Sequence, residues 1–424
     1  MKTHRFARGL LWPIFLLLLL LGSERILFAY SVLTHEEIVD LAWTTGILPL
    51  LQARYPGLTA DQIREAHAYA YGGAVVQDLG YYPFGNAEFS NLVHYARSGD
   101  FVLELLRESQ DVNEYAFALG ALSHYASDLA GHPAVNQAVA IEYPALRARY
   151  GNSVRYAQNK TAHLKTEFGF DMAQVARKRY APQQYHDFIG FEVSKPLLER
   201  VFPVVYGMNL QDILTHENLA IGSFRYSVSK LIPHMTQVAL QTHKKELIHE
   251  IPNFAKKNFL YRLSRSDYER EWGRDYDKPG LGTRILSTIL RCIPKIGPLK
   301  ALDFKNPTPK TEDMYFKSID LTVDQYRAML EAERSRSIKL PNLDLDSGDV
   351  TRAGEYSLAD QTYAKLLAQL NDRQFLLTTR GLRDNIVQFY SDPAALTEAN
   401  KDPAQWSRLQ DSLKQLERVS VVAQ

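Results

Sequence analysis

The chain has 424 residues, 46% hydrophobic and 11% aromatic, enough apolar material for one large core or two moderate ones. Its 49 basic and 48 acidic residues leave a net charge of +1, which excludes a global field directed at nucleic acid or at an acidic membrane. A single cysteine, Cys292, excludes an intramolecular disulfide framework and cysteine-rich zinc sites, so stability rests on packing or on metal held by other side chains.

The amino terminus carries Lys2, Arg5 and Arg8, then the apolar run Leu10 to Gly22 and a short segment ending at Phe28-Ala29. This is the layout of a secretory signal, and the apolar run is short for a transmembrane span of about 20 residues. Cleavage after Ala29 would start the mature chain at Tyr30 and send it to the periplasm or the exterior; an uncleaved anchor is the alternative.

From Tyr30 to about Glu250 apolar residues recur at three- and four-residue spacing, which predicts successive amphipathic helices. Thr59-Ala60-Asp61-Gln62 is a capping-box pattern opening a helix to about Tyr71. A second helix is predicted over Asp111 to Ala130, ended by Gly131 and Pro133, and a third over Thr161 to Arg179, with turns at Gly80 to Gly85 and Tyr150 to Ser153. All 12 histidines lie at or before His249, a composition boundary that divides the chain into residues 30–250 and 251–424. The C-terminal part reads as helical at Val323 to Ile338, Ser357 to Leu370 and Asp402 to Val419, after a Pro- and Lys-rich connector from Pro294 to Lys310. Within it the apolar stretch Ile285 to Ala301, broken by Pro294 and Pro298, suits burial against the first domain better than lipid. Asn342, Asp344, Asp346 and Gly348 superficially suggest a calcium loop, but Ser347 and Ala353 stand where that loop needs glycine and glutamate, so this stretch is read as a turn.

Two polar stripes interrupt the helical patterns. His124, Asp128 and His132 are spaced by four, so on a helix they lie about 40° apart and about 6 Å apart along the axis. The two histidines are then about 12 Å apart, too far to share one ion. His163, Glu167 and Asp171 repeat the spacing. A histidine and a carboxylate at this spacing also form an ordinary surface pair, and each stripe alone fits either reading. Taken together, and flanked by apolar Leu119, Leu122, Ala126 and Phe170, the stripes are expected to face inward, where unpartnered imidazoles and carboxylates call for ions. Mixed carboxylate and imidazole ligands suit Zn²⁺, ahead of Mn²⁺ or Fe. Further candidates are His35, Asp78 and His94, each of which on spacing alone is an ordinary core or surface residue.

These positions resemble the zinc-dependent phospholipase C family, which is related to the S1/P1 nucleases. The resemblance runs in order through Tyr30 to His35, Asp78, His94, the His124/Asp128/His132 stripe and the His163/Glu167 pair, roughly Tyr30 to Ile251. It implies an all-α, multi-helix domain with three zinc ions, followed by a mainly helical C-terminal extension. By the resemblance, Asp78, His94, His124 and Asp128 hold one ion, and His132, His163 and Glu167 a second. The α-amino group and carbonyl of Tyr30 hold the third with His35 and a shared Asp128, while Asp171 serves as an outer partner of a ligand. Only Leu129-Ala130-Gly131 separate Asp128 from His132, where bacterial phosphatidylcholine-type phospholipases and S1/P1 nucleases have five residues. That spacing looks more like the catalytic domain of glycosylphosphatidylinositol-specific phospholipase D.

The implied activity is hydrolysis of phospholipids, of C or D type, by metal-activated water, with Asp78 as a candidate base. Tyr81, Tyr82 and Phe84 follow Asp78 and either form a lip for a headgroup or pack inside. A nuclease is the first rival. The mature region shows no concentrated basic groove, since Lys256 to Arg274 is interrupted by Asp267, Glu269 and Glu271, so no stable nucleic-acid partner is expected. A non-catalytic, zinc-stabilised module binding an envelope component is the second rival; peripheral membrane contact fits either lipid reading.

Overall fold

The computed structural model describes residues 32–176, 190–232, 304–392 and 403–422. The leader, Tyr30, Cys292, the segment Lys256 to Arg274 and the apolar stretch Ile285 to Ala301 lie outside them. The described residues are helical, with only two isolated bridges, Leu343 to Val350 and Thr379 to Val422, as the all-α reading expected.

Helix α1 (Val32–Ala42) continues through one π turn into α2 (Leu48–Arg54). Helix α3 (Ala60–Ala74) opens at the capping box, where Thr59 accepts from the Gln62 amide while the Gln62 side chain accepts from the Thr59 amide. A 3₁₀ turn over Val76–Tyr81 leads to α4 (Ala87–Tyr95) and α5 (Ser98–Glu108). Then come α6 (Val112–Glu142), α7 (Pro144–Tyr150) and α8 (Lys160–Ala176). The first region closes with α9 (Lys195–Tyr206), α10 (Leu210–Ile213) and α11 (Glu217–Tyr226). The C-terminal region supplies α12 (Pro309–Arg334), α13 (Ser357–Asp372), α14 (Arg380–Ser391) and α15 (Pro403–Arg418).

Everything is arranged around α6. It starts where Asp111 accepts from the Glu114 amide, and it is apolar nearly all round, the pattern of a helix enclosed by others. The predicted stop at Gly131 and Pro133 is wrong, because the helix runs on to Glu142 with Pro133 inside it. Proline removes the amide that would bond the carbonyl four residues back, a cost of about 3 kcal/mol. Tertiary packing overrides that local penalty here. The Leu129 carbonyl, deprived of its partner, faces Gly348, whose backbone has a φ of 77°; a Cβ at 348 would lie 3.6 Å from that oxygen and 4.0 Å from Pro133 Cγ.

The most extensive helix pairings of α6 are with α3 and α12. The first depends on absent side chains: a Cβ on Gly73 would sit 1.9 Å from the Phe117 carbonyl oxygen, and one on Gly120 would sit 2.1 Å from that of Ala70. The second carries the core across the division near residue 250, since Leu119, Leu122 and Ala126 share one buried cluster with Tyr326, Leu330, Leu340, Leu345 and Tyr363. Helix α12 begins well before the expected Val323, with Thr308 capping and Pro309 in the first turn, where its missing amide costs nothing.

Candidate metal centre

The two stripes face each other within the helical core. Helix α6 presents His124, Asp128 and His132, and α8 presents His163 and Glu167. Asp78 comes from the 3₁₀ turn after α3, His94 from the last turn of α4 and His35 from the first turn of α1. All eight side chains are at most 2% exposed.

Their polar atoms converge. Asp128 Oδ2 lies 3.1 Å from His124 Nε2, 3.4 Å from His94 Nε2 and 3.8 Å from His132 Nε2. Its other oxygen, Oδ1, lies 3.7 Å from His35 Nε2. His94 Nε2 is 3.6 Å from Asp78 Oδ1 and 3.4 Å from His124 Nε2. On the second helix His163 Nδ1 is 3.5 Å from Glu167 Oε1. Two ligands at zinc bond lengths on adjacent corners of a tetrahedron are about 3.4 Å apart. The separations are therefore those of ligand atoms around ions, and three such groups form: His35/His124/Asp128, Asp78/His94/His124 and His132/His163/Glu167.

Hydrogen bonds fix the imidazoles in the required tautomer. His94 Nδ1 donates to the Ser90 carbonyl at 2.7 Å, His124 Nδ1 to that of Ala74 at 2.9 Å, and His163 Nε2 to that of Val154 at 2.6 Å. Each carbonyl can only accept, so in the neutral ring the opposite nitrogen carries the lone pair, directed into the cluster where a cation would take it. Both carboxylate oxygens of Asp78, Asp128 and Glu167, and both ring nitrogens of His132, make no hydrogen bond. So many buried polar atoms without partners are costly unless cations occupy the space between them, and the donor set fits zinc.

The electrostatics show the same tension. Burial pushes the Asp78 carboxyl up to about 6, although His124 and His94 oppose it. Burial likewise drives Glu167 well above the usual carboxylate range and, with His132 beside it, lowers His163 to about 4. Desolvation and the neighbouring His124 depress His35. Asp128 and His94 go the other way: burial opposes their charge, yet the ring of imidazoles holds Asp128 well below its usual value, and Asp128 lifts His94 to about 9.

Other expected site residues fall elsewhere. Asp171 accepts from the Leu33 amide at 3.2 Å and the Thr34 hydroxyl at 2.6 Å, so it clamps the start of α1 just before His35. Tyr315 of α12 completes that clamp at 2.7 Å from the Thr34 hydroxyl. Tyr81 and Tyr82 are buried, Tyr82 packing edge-on against Phe224, and only Phe84 presents an exposed ring, on a left-handed backbone with φ of 64°. Two of the three lip candidates are therefore packing residues.

One site residue escaped the sequence reading. The 342–350 stretch is a turn, as read, closed by the Gly348 amide on the Asp344 carbonyl at 2.7 Å, but Asp346 within it reaches the cluster, with Oδ1 3.5 Å from His132 Nε2. Its acidic run was visible; its contact with a residue more than 200 positions earlier was not.

An all-helical core that points imidazole lone pairs and unpartnered carboxylates at shared points defines a protein of the histidine–carboxylate metal-dependent class. Residues 34–230 match the family model for zinc-dependent phospholipase C. No curated protein and no solved structure matches the chain.

Proposed function

We propose that the protein is a secreted or periplasmic phosphodiesterase that hydrolyses phospholipids at a centre of three zinc ions. The observation that carries this reading is the convergence of four imidazole nitrogens on the two oxygens of Asp128. In the proposed assignment Asp78, His94, His124 and Asp128 hold one ion, and His132, His163 and Glu167 another. His35, Asp128 and the amino group and carbonyl of Tyr30 hold the third. His124 falls within two of the three groups, and its single available Nε2 is allotted to the first ion, which leaves room for Tyr30 at the third. The clamp of Asp171, Thr34 and Tyr315 lies a few residues after Tyr30, where a free amino terminus would have to be held still. Among the described residues no helix is long and apolar enough to cross a membrane.

When bound, zinc supplies Lewis-acid stabilisation of the phosphoryl charge and lowers the pKa of water towards about 7. The chain's own part is positioning and proton transfer. Asp78 turns Oδ1 towards His94, and its Oδ2 is the proposed acceptor of the proton from attacking water. The carbonyls of Ser90, Ala74 and Val154 keep His94, His124 and His163 from rotating. Phe84, exposed on the turn that follows Asp78, is the proposed apolar or cation-binding contact for a lipid headgroup.

The test is a panel of phospholipids assayed beside single-stranded DNA and RNA. Release of a phosphorylated headgroup identifies C-type cleavage, and phosphatidic acid identifies D-type. Asp78→Asn should lower turnover by about 10²–10⁴-fold. Cleavage of nucleic acid alone would install the nuclease reading, and an unchanged biological role for Asp78→Asn would favour the binding module.

A further inference from the structure

We propose that Asp346, from the C-terminal region outside the family match, is a fourth protein ligand of the ion assigned to His132, His163 and Glu167. This rests on the zinc reading above. Asp346 Oδ1 lies 3.5 Å from His132 Nε2, the same separation as His163 Nδ1 from Glu167 Oε1 and close to a tetrahedral edge of about 3.4 Å. His132 is 2% exposed and neither of its ring nitrogens has a hydrogen-bond partner; both Glu167 oxygens are in the same position. The cluster thus offers the atoms an ion needs, and Asp346 Oδ1 stands beside its His132 nitrogen.

The carboxylate is held for that purpose. Tyr95 and Tyr356 both donate to Oδ2, at 2.8 and 2.6 Å, which leaves Oδ1 for the cluster. The turn that carries it is latched to α4 and α6, which bear other ligands, and to α5 between them. The Leu345 amide donates to the His94 carbonyl at 3.2 Å, Ser98 Oγ donates to the Leu343 carbonyl at 2.6 Å, and the Asn136 amide reaches the Asp346 carbonyl at 3.3 Å. Gly348 seats the turn against Pro133 on α6. With His132, His163, Glu167 and Asp346 the site has four protein ligands, the number typical of structural zinc and the same number assigned to each of the other two ions.

Zinc content and its release to a chelator should be measured on the mature full chain and on Asp346→Asn, which keeps an oxygen for both tyrosines but loses the charge. Expected are one fewer tightly held zinc per chain, or release of one ion at least about tenfold faster, and a changed visible absorption after Co²⁺ substitution. Tyr356→Phe separates ligation from support, because it removes one hydrogen bond and leaves Oδ1 in place; it should keep the full complement. Equal zinc content, release and spectra in wild type and Asp346→Asn would overturn the assignment, as would identical losses in Tyr356→Phe and Asp346→Asn. Absence of zinc from the wild type itself would overturn the zinc reading first, an outcome visible before any variant is made.

Discussion

The crossing of α3 and α6 positions the centre, and Gly73→Ala tests it. A Cβ at 73 would stand 1.9 Å from the Phe117 carbonyl oxygen, whereas ordinary contact begins at 3.4 Å. The helices would have to part by about 1.5 Å, because both clashing groups belong to main chain or to the first side-chain carbon. The His124 Nδ1 to Ala74 carbonyl bond, 2.9 Å long, and the Gln77 amide bond to the Ala121 carbonyl, also 2.9 Å, span this same crossing. Opened by that amount, they would exceed the hydrogen-bonding range of about 3.2 Å. The expected cost is about 1–3 kcal/mol of stability from overpacking, and about 10–100-fold weaker zinc retention from the loss of the carbonyl that orients His124. Urea unfolding and chelator competition measure the two effects. Gly222→Ala is the control: it lies in α11, nothing stands within 4 Å of the place its Cβ would take, and the change should be neutral or stabilising by up to about 1 kcal/mol. Unchanged stability and unchanged zinc retention in Gly73→Ala would refute the account of the crossing.

Two further predictions concern the junction of the two regions. Burial raises the Glu142 carboxyl from 4.5 to about 7, against hydrogen bonds from Thr311 and Thr166 and the charge of Lys305. The folded state thus prefers the neutral acid; the contribution is full below pH 4.5 and is lost as pH rises through about 7. At about 1.4 kcal/mol per tenfold this is at most about 3 kcal/mol, so Glu142→Gln should gain stability relative to wild type between pH 5 and 8 in urea unfolding, and a constant difference across that range would contradict it. A chain ending at Glu250 should lose cooperative thermal unfolding. It would strip Tyr326, Leu330, Leu340 and Leu345 from the core, each worth about 1.5–3 kcal/mol, against a total margin of about 5–15 kcal/mol. A sharp melt of that truncation with zinc still bound would show an independent domain.

What the sequence disclosed about the site was its local geometry. His124, Asp128 and His132, like His163 and Glu167, are related by helical periodicity alone, so their facing could be read before any tertiary contact was known. The stop at Pro133 failed because a local rule competed with burial on every side of α6, and burial won. Asp171 looked like a continuation of the second stripe, but its partners, Leu33 and Thr34, lie 138 and 137 positions away. Asp346 and Tyr315 were hidden for the same reason: periodicity reports which face a residue occupies and says nothing of what a distant segment brings to that face.

Metal analysis of the purified mature chain tests the central claim most directly. The account predicts three tightly bound zinc ions, with Asp128→Ala losing more metal than replacement of any single histidine, because its two oxygens face His35 on one side and His94, His124 and His132 on the other. Fewer than two zinc ions per chain, with every ligand intact, would contradict it.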